Sequence, residues 1–508
     1  MAELKVNEAI EAHVEMAKHW KLPDALVGGT QAMRDGASDW LPQEPGEGSP
    51  AWEIRVGRTT LFNAYADTLG NTSNRPFADS VALSDDAPEE LHDFVERVDE
   101  SGRNLTEFSR VAFRDAVHRG LCGILVDYPP APLDLTLAQE RELGLRPFWT
   151  HIQFSRVIGW RVERFRGEDV LTQLRITEDA VVPDGEYGEK KVERVKVYER
   201  ELPQELVGDD GAGTGEWTDG NTWWVLWELS DEDNDWHPVD SGRITINRIP
   251  FVVVYTNRTG HMTAAPALED LAWKNLEHFQ SSSDQRHILR FARAPLLFGA
   301  GFRDEELGSK VEIGASRMLK SKNENAKLNY VEHSGKAIEA GQKDLESLKE
   351  EMVVLGMKPL LLKRVGPQQT ATASAIEEAE EQSELQAWVR EYERALEKAL
   401  AITLEWLGRD AKAVEGSVTA VSISDRFTAI MDEAQFNTLL ELRKLGDLSR
   451  ETLYAELKKR GFLDDAFDPE IEAIRLELEA ADARLDMEGA GEEEADDADD
   501  DDDDADEG

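Results

Sequence analysis

The chain has 508 residues, with 104 acidic against 57 basic, one cysteine and 40% hydrophobic residues. This predicts three or four domain-sized units with real cores. A disulfide framework within the chain is excluded, and no run of about 18 apolar residues exists to span a membrane. Part of the net charge of −47 lies in Asp486–Gly508, which has 15 acidic and no basic residues, yet 89 acidic against 57 basic residues remain outside it. Such a body repels nucleic acid on average instead of gripping its phosphates.

Glu3, Glu8, Glu11 and Glu15 interrupt the apolar residues of Met1–Lys21, so no secretory signal is read there. Val6 to Trp20 predicts an amphipathic helix with Val6, Ile10, Val14 and Ala17 inward. Gly28 to Pro50, rich in Gly, Pro and acid, predicts a loop anchored by Met33 and Trp40-Leu41. Helical spacing resumes from Trp52 to Leu69, then over Pro88–Val98 and Asn104–Gly120, the last with Phe108, Val111, Ala112 and Val117 on its stripe. Gly123 to Pro130 reads as a buried strand stopped by two prolines.

From Phe148 to Thr256 the period shortens. Five β-rich runs (Arg156–Glu163, Leu171–Ile176, Val192–Tyr198, Thr222–Leu229 and Phe251–Tyr255) are separated by Gly, Asp and Asn clusters, which predicts one β-rich module. Pro266 to Ala292 reads as a helix with a wholly polar middle, Gln280–Gln285. A short segment, Pro295 to Glu332, follows, with a helical turn at Arg303–Leu307 and strand-like Arg317–Leu319 and Leu328–Tyr330.

Gly335 to Leu355 has Ile338, Leu345 and Met352 seven apart, with Leu348 and Leu355 between them, one apolar stripe on a helix. Gly356-Met357-Lys358-Pro359 breaks it, because proline disfavours helical geometry in the residue before it. The stretch Leu360 to Pro367 is apolar with a basic centre. Ser374-Ala375-Ile376-Glu377 reads as a capping box. The helix it starts meets no Gly or Pro before Gly408 and would span roughly 50 Å. Val418–Ile423 reads as a strand, Met431–Leu445 and Arg450–Gly461 as a helical pair, and Pro469–Leu485 as an acidic helix. The composition of the tail beyond predicts no fold.

Enzymatic signatures are missing. Gly301 to Gly308-Ser309-Lys310 has the wrong spacing for a phosphate-cradling loop, and the His residues form no H-E-x-x-H pair. No Gly-x-Ser-x-Gly elbow is present, and Cys122 reads as a small buried hydrophobe. No catalysis, cofactor or metal is therefore expected. Lys320, Lys322 and Lys327 read either as a solvated loop face or as contacts to phosphate or to a charged partner. Lys358, Lys363 and Arg364 among Leu360, Leu361, Leu362 and Val365 read either as packing or as an element facing a polyanion or a neighbouring subunit.

The order of these segments resembles tailed-bacteriophage portal proteins, in particular an uncharacterised portal-like phage and prophage family. The resemblance runs from about Leu22 to Pro469, through Leu26–Arg34, Arg58–Ala64, Gly123–Pro129, Gly159–Glu163, Ile249–Val252 and Leu439–Arg460. It implies an α+β, mainly helical fold. Residues 1–263 would form a wing holding the β-rich module of about 148–256. Residues 264–294 and 335–355 would be stem helices, with 295–334 the clip meeting an adaptor through Lys320, Lys322 and Lys327. Residues 356–373 would be a tunnel loop, 374–408 a long wing helix, 409–485 a crown and 486–508 a disordered acidic tail. The acidic tail departs from the family pattern. The implied function is a dodecameric ring at one capsid vertex of the virion, assembled in the host cytoplasm. It would pass double-stranded DNA in packaging and ejection and contact terminase, head–tail adaptor and major capsid protein. A minor capsid or adaptor protein without its own channel is the other structural reading.

Overall fold

The computed structural model describes residues 4–84, 87–129, 139, 143–203, 205–207, 213–217, 220, 221–230, 233–293, 296–300, 325, 327–331, 336–360, 383–409, 421–424, 443–444, 449–459, 467–469 and 471–475. They fall into two units, Met1–Ser424 and Asp425–Gly508.

The first unit begins with seven helices: α1 (Glu11–Val27), α2 (Gly29–Asp35), α3 (Ala37–Trp40), α4 (Ser49–Arg58), α5 (Ala64–Asn74), α6 (Glu89–Val95) and α7 (Leu105–Arg119), with a short strand β1 (Ala82–Leu83) before α6. In α1 the predicted inner face is out of phase. Val14 is 46% exposed, whereas Met16, Trp20 and Leu26 are buried, because the large Trp20 sets the rotation and its indole donates to the Arg119 carbonyl at 3.0 Å. The predicted loop after Gly28 contains two short helices, and Met33, Trp40 and Leu41 do anchor it. The predicted helix Trp52–Leu69 is two helices. Thr59 leaves helical geometry after α4, and Asn63 caps α5 by accepting from the Ala66 amide. Asn104 caps α7, and Gly120 ends it at φ +88°. A Cβ there would lie 2.2 Å from the Ala265 carbonyl oxygen, so this position requires glycine twice over.

The strands are β2 (Leu121–Asp127), β3 (Phe148–Gln153), β4 (Val157–Phe165), β5 (Glu168–Thr177), β6 (Ala180–Asp184), β7 (Gly188–Val192), β8 (Arg194–Glu201), β9 (Glu205–Val207), β10 (Gly213–Trp217), β11 (Asn221–Leu229), β12 (Trp236–Ile244), β13 (Phe251–Tyr255), β14 (Arg258–Gly260) and β15 (Thr263–Ala264). The β-rich module is a five-stranded antiparallel sheet in the order β12-β11-β8-β5-β4. Six strands inside the predicted range pair elsewhere: β6 with β7 and β9 with β10 as two-stranded ribbons, while β13 and β3 flank β2 in a separate sheet. The reason is packing. Gly123 of β2 has no side chain where the Phe251 ring lies, and the sheet is buried under α7. The N-terminal segment lies on the five-stranded sheet, with Arg175 donating to the Lys5 and Val6 carbonyls at 3.1 and 3.0 Å and Val6 and Ala9 packed against Ile158, Val195 and Val197.

Helix α8 (Glu269–Ala292), strands β16 (Leu296–Ala300) and β17 (Lys327–Val331), helix α9 (Lys336–Met357), helix α10 (Glu384–Trp406) and strand β18 (Val421–Ser422) complete this unit. β16 pairs antiparallel with β17, and β18 with β1. In the second unit α11 (Arg450–Lys459) follows Ser449, whose hydroxyl accepts from the Thr452 amide, and Tyr454 meets Phe467 edge-on at 5.2 Å. Among the described residues no helix is long and apolar enough to cross a membrane.

Two glycines separate backbone demand from indifference. Gly120→Ala should cost about 2–4 kcal/mol in denaturant unfolding, through forbidden φ and a backbone clash. Gly70→Ala, in the interior of α5 with nothing within 4 Å, should instead add about 0.5–1 kcal/mol.

Candidate functional site

The segment with the most unusual build is the α8–α9 pair and what it carries at each end. α8 meets no Gly or Pro along its length, and Leu268, Leu271, Leu276 and Phe279 are buried. Its polar middle, opaque in the sequence, is packed on polar partners. Gln280 donates to the Trp40 carbonyl at 2.9 Å, Ser283 shares a 2.9 Å hydrogen bond with Thr59, and Gln285 donates to the Ile338 carbonyl at 2.8 Å. Opposite Gln285, α9 presents Gly341, where a Cβ would sit 2.2 Å from the Gln285 Oε1. The helices therefore cross closely at a glycine. Leu348 and Met352 bury the α9 stripe, and Lys274 bridges to Glu351 at 2.9 Å.

One end of the pair continues into β16 and β17. Lys327 opens β17 with its side chain exposed, while Lys320 and Lys322, like Arg303–Leu307 and Arg317–Leu319, lie outside the described residues. At the other end α9 runs past the predicted break to Met357, and Lys358–Leu360 form a 3-10 turn. Pro359 is buried and Lys358 exposed; Leu361, Leu362, Lys363 and Arg364 lie outside the described residues.

The chain is described again from Ser383. That residue starts α10 with a full capping box: its hydroxyl accepts from the Gln386 amide at 3.2 Å, and Gln386 returns a bond to the Ser383 amide at 3.0 Å. The cap of this helix is therefore Ser383, not Ser374, which lies outside the described residues. At 23 residues α10 is about 35 Å long. Its buried side carries Leu385, Val389, Tyr392, Leu396 and Leu400. Its C-terminal half is tied to the β2 sheet, with Trp149 donating to Thr403 at 2.9 Å and Trp406 to the Val126 carbonyl at 3.0 Å. Arg248 pairs with Glu405 at 2.9 Å.

Between the end of α9 and the start of α10 lies a cavity of about 520 Å³, lined by Lys358, Glu269, Asp270, Glu384, Trp388 and Glu391 among others. Four carboxylates face one lysine there. The surface from which the basic loop sequence leaves and to which it returns is thus acidic.

A second polar cluster lies beneath α7. His118 Nε2 and Arg119 both reach Asp24, at 2.8 and 2.7 Å; Arg119 also pairs with Asp115, and His151 Nε2 lies 3.2 Å from Asp115. Tyr65 hydroxyl meets His118 Nδ1 at 3.0 Å. Burial pushes the Tyr65 hydroxyl and the Cys122 thiol well above their usual pKa, so neither is an activated nucleophile. Asp115, Cys122 and His151 offer atoms within 4.8 Å of one another, the geometry of a metal cluster. However, both Asp115 oxygens already accept from Arg119 and His151, and the Cys122 thiol donates to the Ala112 carbonyl at 3.2 Å. The cluster ties α1, α5, α7 and β3 together, with the buried Arg119 Nε as the one atom of its guanidinium left without a partner among the described residues. Sequence spacing could not reveal it, since its members come from separate elements.

The family whose pattern matches this chain is described as "Domain of unknown function (DUF4055)", over residues 267–407. That interval runs from the approach to α8 through the end of α10. No curated protein matches the chain. Among solved structures it is similar to a chain in the virion of a native gene transfer agent particle, at 11% identity and TM-score 0.36, covering 76% of this chain and 86% of that one. It is also similar to a chain in the neck of an empty gene transfer agent particle computed with C6 symmetry, at 11% identity and TM-score 0.37, covering 78% and 88%.

Two measurements check this region. Gly341→Ala should destabilise by about 1–3 kcal/mol by overpacking the crossing. Adding Gln285→Ala should recover part of that loss, so the double variant costs less than the sum of the singles. Separately, burial lowers the pKa of His13, His261 and His278, the last helped by Lys349. These imidazoles take up a proton more readily when unfolded. Their contribution is therefore intact above about pH 6.5 and lost as pH falls through their lowered folded values. Going from pH 7.5 to 5.5, the fall in unfolding free energy should be larger for the wild type than for a His13→Gln, His278→Gln variant; equal changes would contradict the assignment.

Proposed function

We propose that this chain is a structural protein of a tailed-phage-type particle, and specifically a portal subunit. Copies would form a ring channel at one capsid vertex, through which double-stranded DNA is packaged and ejected. The observation that carries the reading is the α8–α9 pair. It extends into paired strands and an insert at one end, and at the other into a basic, apolar loop sequence that returns through α10. This order of elements supports the stem, clip, tunnel loop and wing helix that the sequence resemblance implies, with α10 starting at Glu384 instead of residue 374.

The physical case is consistent. An acidic body does not hold DNA statically, because few phosphates are neutralised and little counterion is released. The few basic side chains of the loop sequence, with Lys363 and Arg364 at its centre, would touch passing DNA without gripping it along its length. The fixed geometry of α9 and α10 would set where that loop stands. Terminase, adaptor and major capsid protein are the proposed partners, the adaptor at the segment holding Lys320, Lys322 and Lys327. We propose no catalytic activity: motion of the DNA would come from the docked motor.

Replacing Lys363 and Arg364 together by alanine should leave oligomer size unchanged and reduce DNA packaged or retained in a reconstituted particle. Loss of assembly with normal transport in whatever particles form would mean the loop is only packing. ATP hydrolysis or metal-dependent DNA cleavage by the purified chain would contradict the structural reading.

A further inference from the structure

Helix α8 is open on two opposite sides. With 3.6 residues per turn, residues nine apart point half a turn apart. Trp273 and Ser282, and likewise Glu277 and Arg286, therefore face opposite ways. A cavity lies on each side. The first, about 720 Å³, is lined by Asp39, Asp270, Glu277 and Lys274 as its charged groups, beside Trp273 and Leu355. The second, about 510 Å³, has Arg286, Lys349 and His278, beside Phe62, and no carboxylate in its lining. In a chain with 104 acidic and 57 basic residues, a lining without a carboxylate is a departure from composition.

The two sides also differ in how their charges are used. On the acidic side Lys274 is held by Glu277 and Glu351 at 3.0 and 2.9 Å, and Asp39 by Lys21 at 2.9 Å. On the basic side neither Arg286 nor Lys349 has an ion pair among the described residues, and Lys349 stands 5.2 Å over the Phe62 ring. Each side carries one large aromatic half out in solvent, Trp273 at 56% and Phe62 at 51%. Aromatic side chains and arginine are enriched at interface centres, and charges of opposite sign around them select the partner and its register.

We infer that these flanks bind each other between copies of the chain, the acidic Trp273 flank of one copy against the basic Phe62 flank of the next. This rests on the ring reading above and deepens it by naming the surfaces. Because the two flanks differ, the contact is heterologous. Repeated by rotation it closes a ring, and each copy both gives and receives one contact. It also places the α8–α9 pairs of neighbouring copies side by side.

The test reverses charge on one flank at a time in the full chain: Arg286→Glu with Lys349→Glu, and Asp270→Lys with Glu277→Lys. Native mass and sedimentation should show a large wild-type oligomer. Either double variant alone should need at least about 100-fold more protein to assemble. Mixing the two variants in equal amounts should restore large assemblies, since each supplies the flank the other lacks, and so should combining all four substitutions in one chain. Recovery on mixing also shows that both variants are folded. If the double variants keep the wild-type size, or mixing restores nothing, the contact lies elsewhere although the ring stands. If the wild type is monomeric at micromolar concentration, both readings fall. If the basic-flank variant keeps its size but loses affinity for a DNA duplex, that flank is a phosphate surface and the inference is wrong.

Discussion

The close crossing of α8 and α9 at Gly341 is the constraint on which the rest depends. A helix with six consecutive polar residues at its middle cannot enter a core unless each buried polar group finds a partner. Here Gln280, Ser283 and Gln285 find theirs on α3, at the end of α4 and on α9, and Gly341 provides the space. Of the three, only the Gln285 bond to Ile338 joins α8 to α9, and with the space at Gly341 it sets their register; the other two tie α8 to α3 and to the end of α4.

That register sets the positions of everything attached. The buried Pro359 and the buried Ser383 are two fixed points at either side of the acidic cavity. From Ser383, α10 runs back under cover and is pinned at its far end by indole hydrogen bonds from Trp149 and Trp406. Tyr392 meets Phe77 and Phe113 edge-on in the middle. The loop sequence is thus anchored to the body on both sides, by α9 packed on α8 and by α10.

Much of this was legible in the sequence where local chemistry decides. Asn104 and Gly120 bound α7 as their cap preferences require, and Leu121–Asp127 is a buried strand. The stripe of Leu348 and Met352 faces inward as its spacing predicts. What failed depends on partners distant in sequence. The phase of α1 follows Trp20, whose hydrogen bond partner is Arg119. β13 leaves the β-rich module because Phe251 needs the space beside Gly123. The start of α10 differs from the expected one because Ser374-Ala375-Ile376-Glu377, outside the described residues, and Ser383-Glu384-Leu385-Gln386 carry the same capping signal, and Ser383 is the residue that caps α10. The opposite charge of the two α8 flanks was hidden altogether. It is written at nine-residue separation and completed by Phe62 and Lys349 from other elements.

The central claim is that copies of this chain close into a ring around a channel. Imaging of the purified full-length chain by negative stain, with its native mass, tests this most directly. The account predicts particles of a single mass, many times that of one chain, with rotational symmetry and a central opening. A monomer or dimer, or an open filament without a channel, would contradict it.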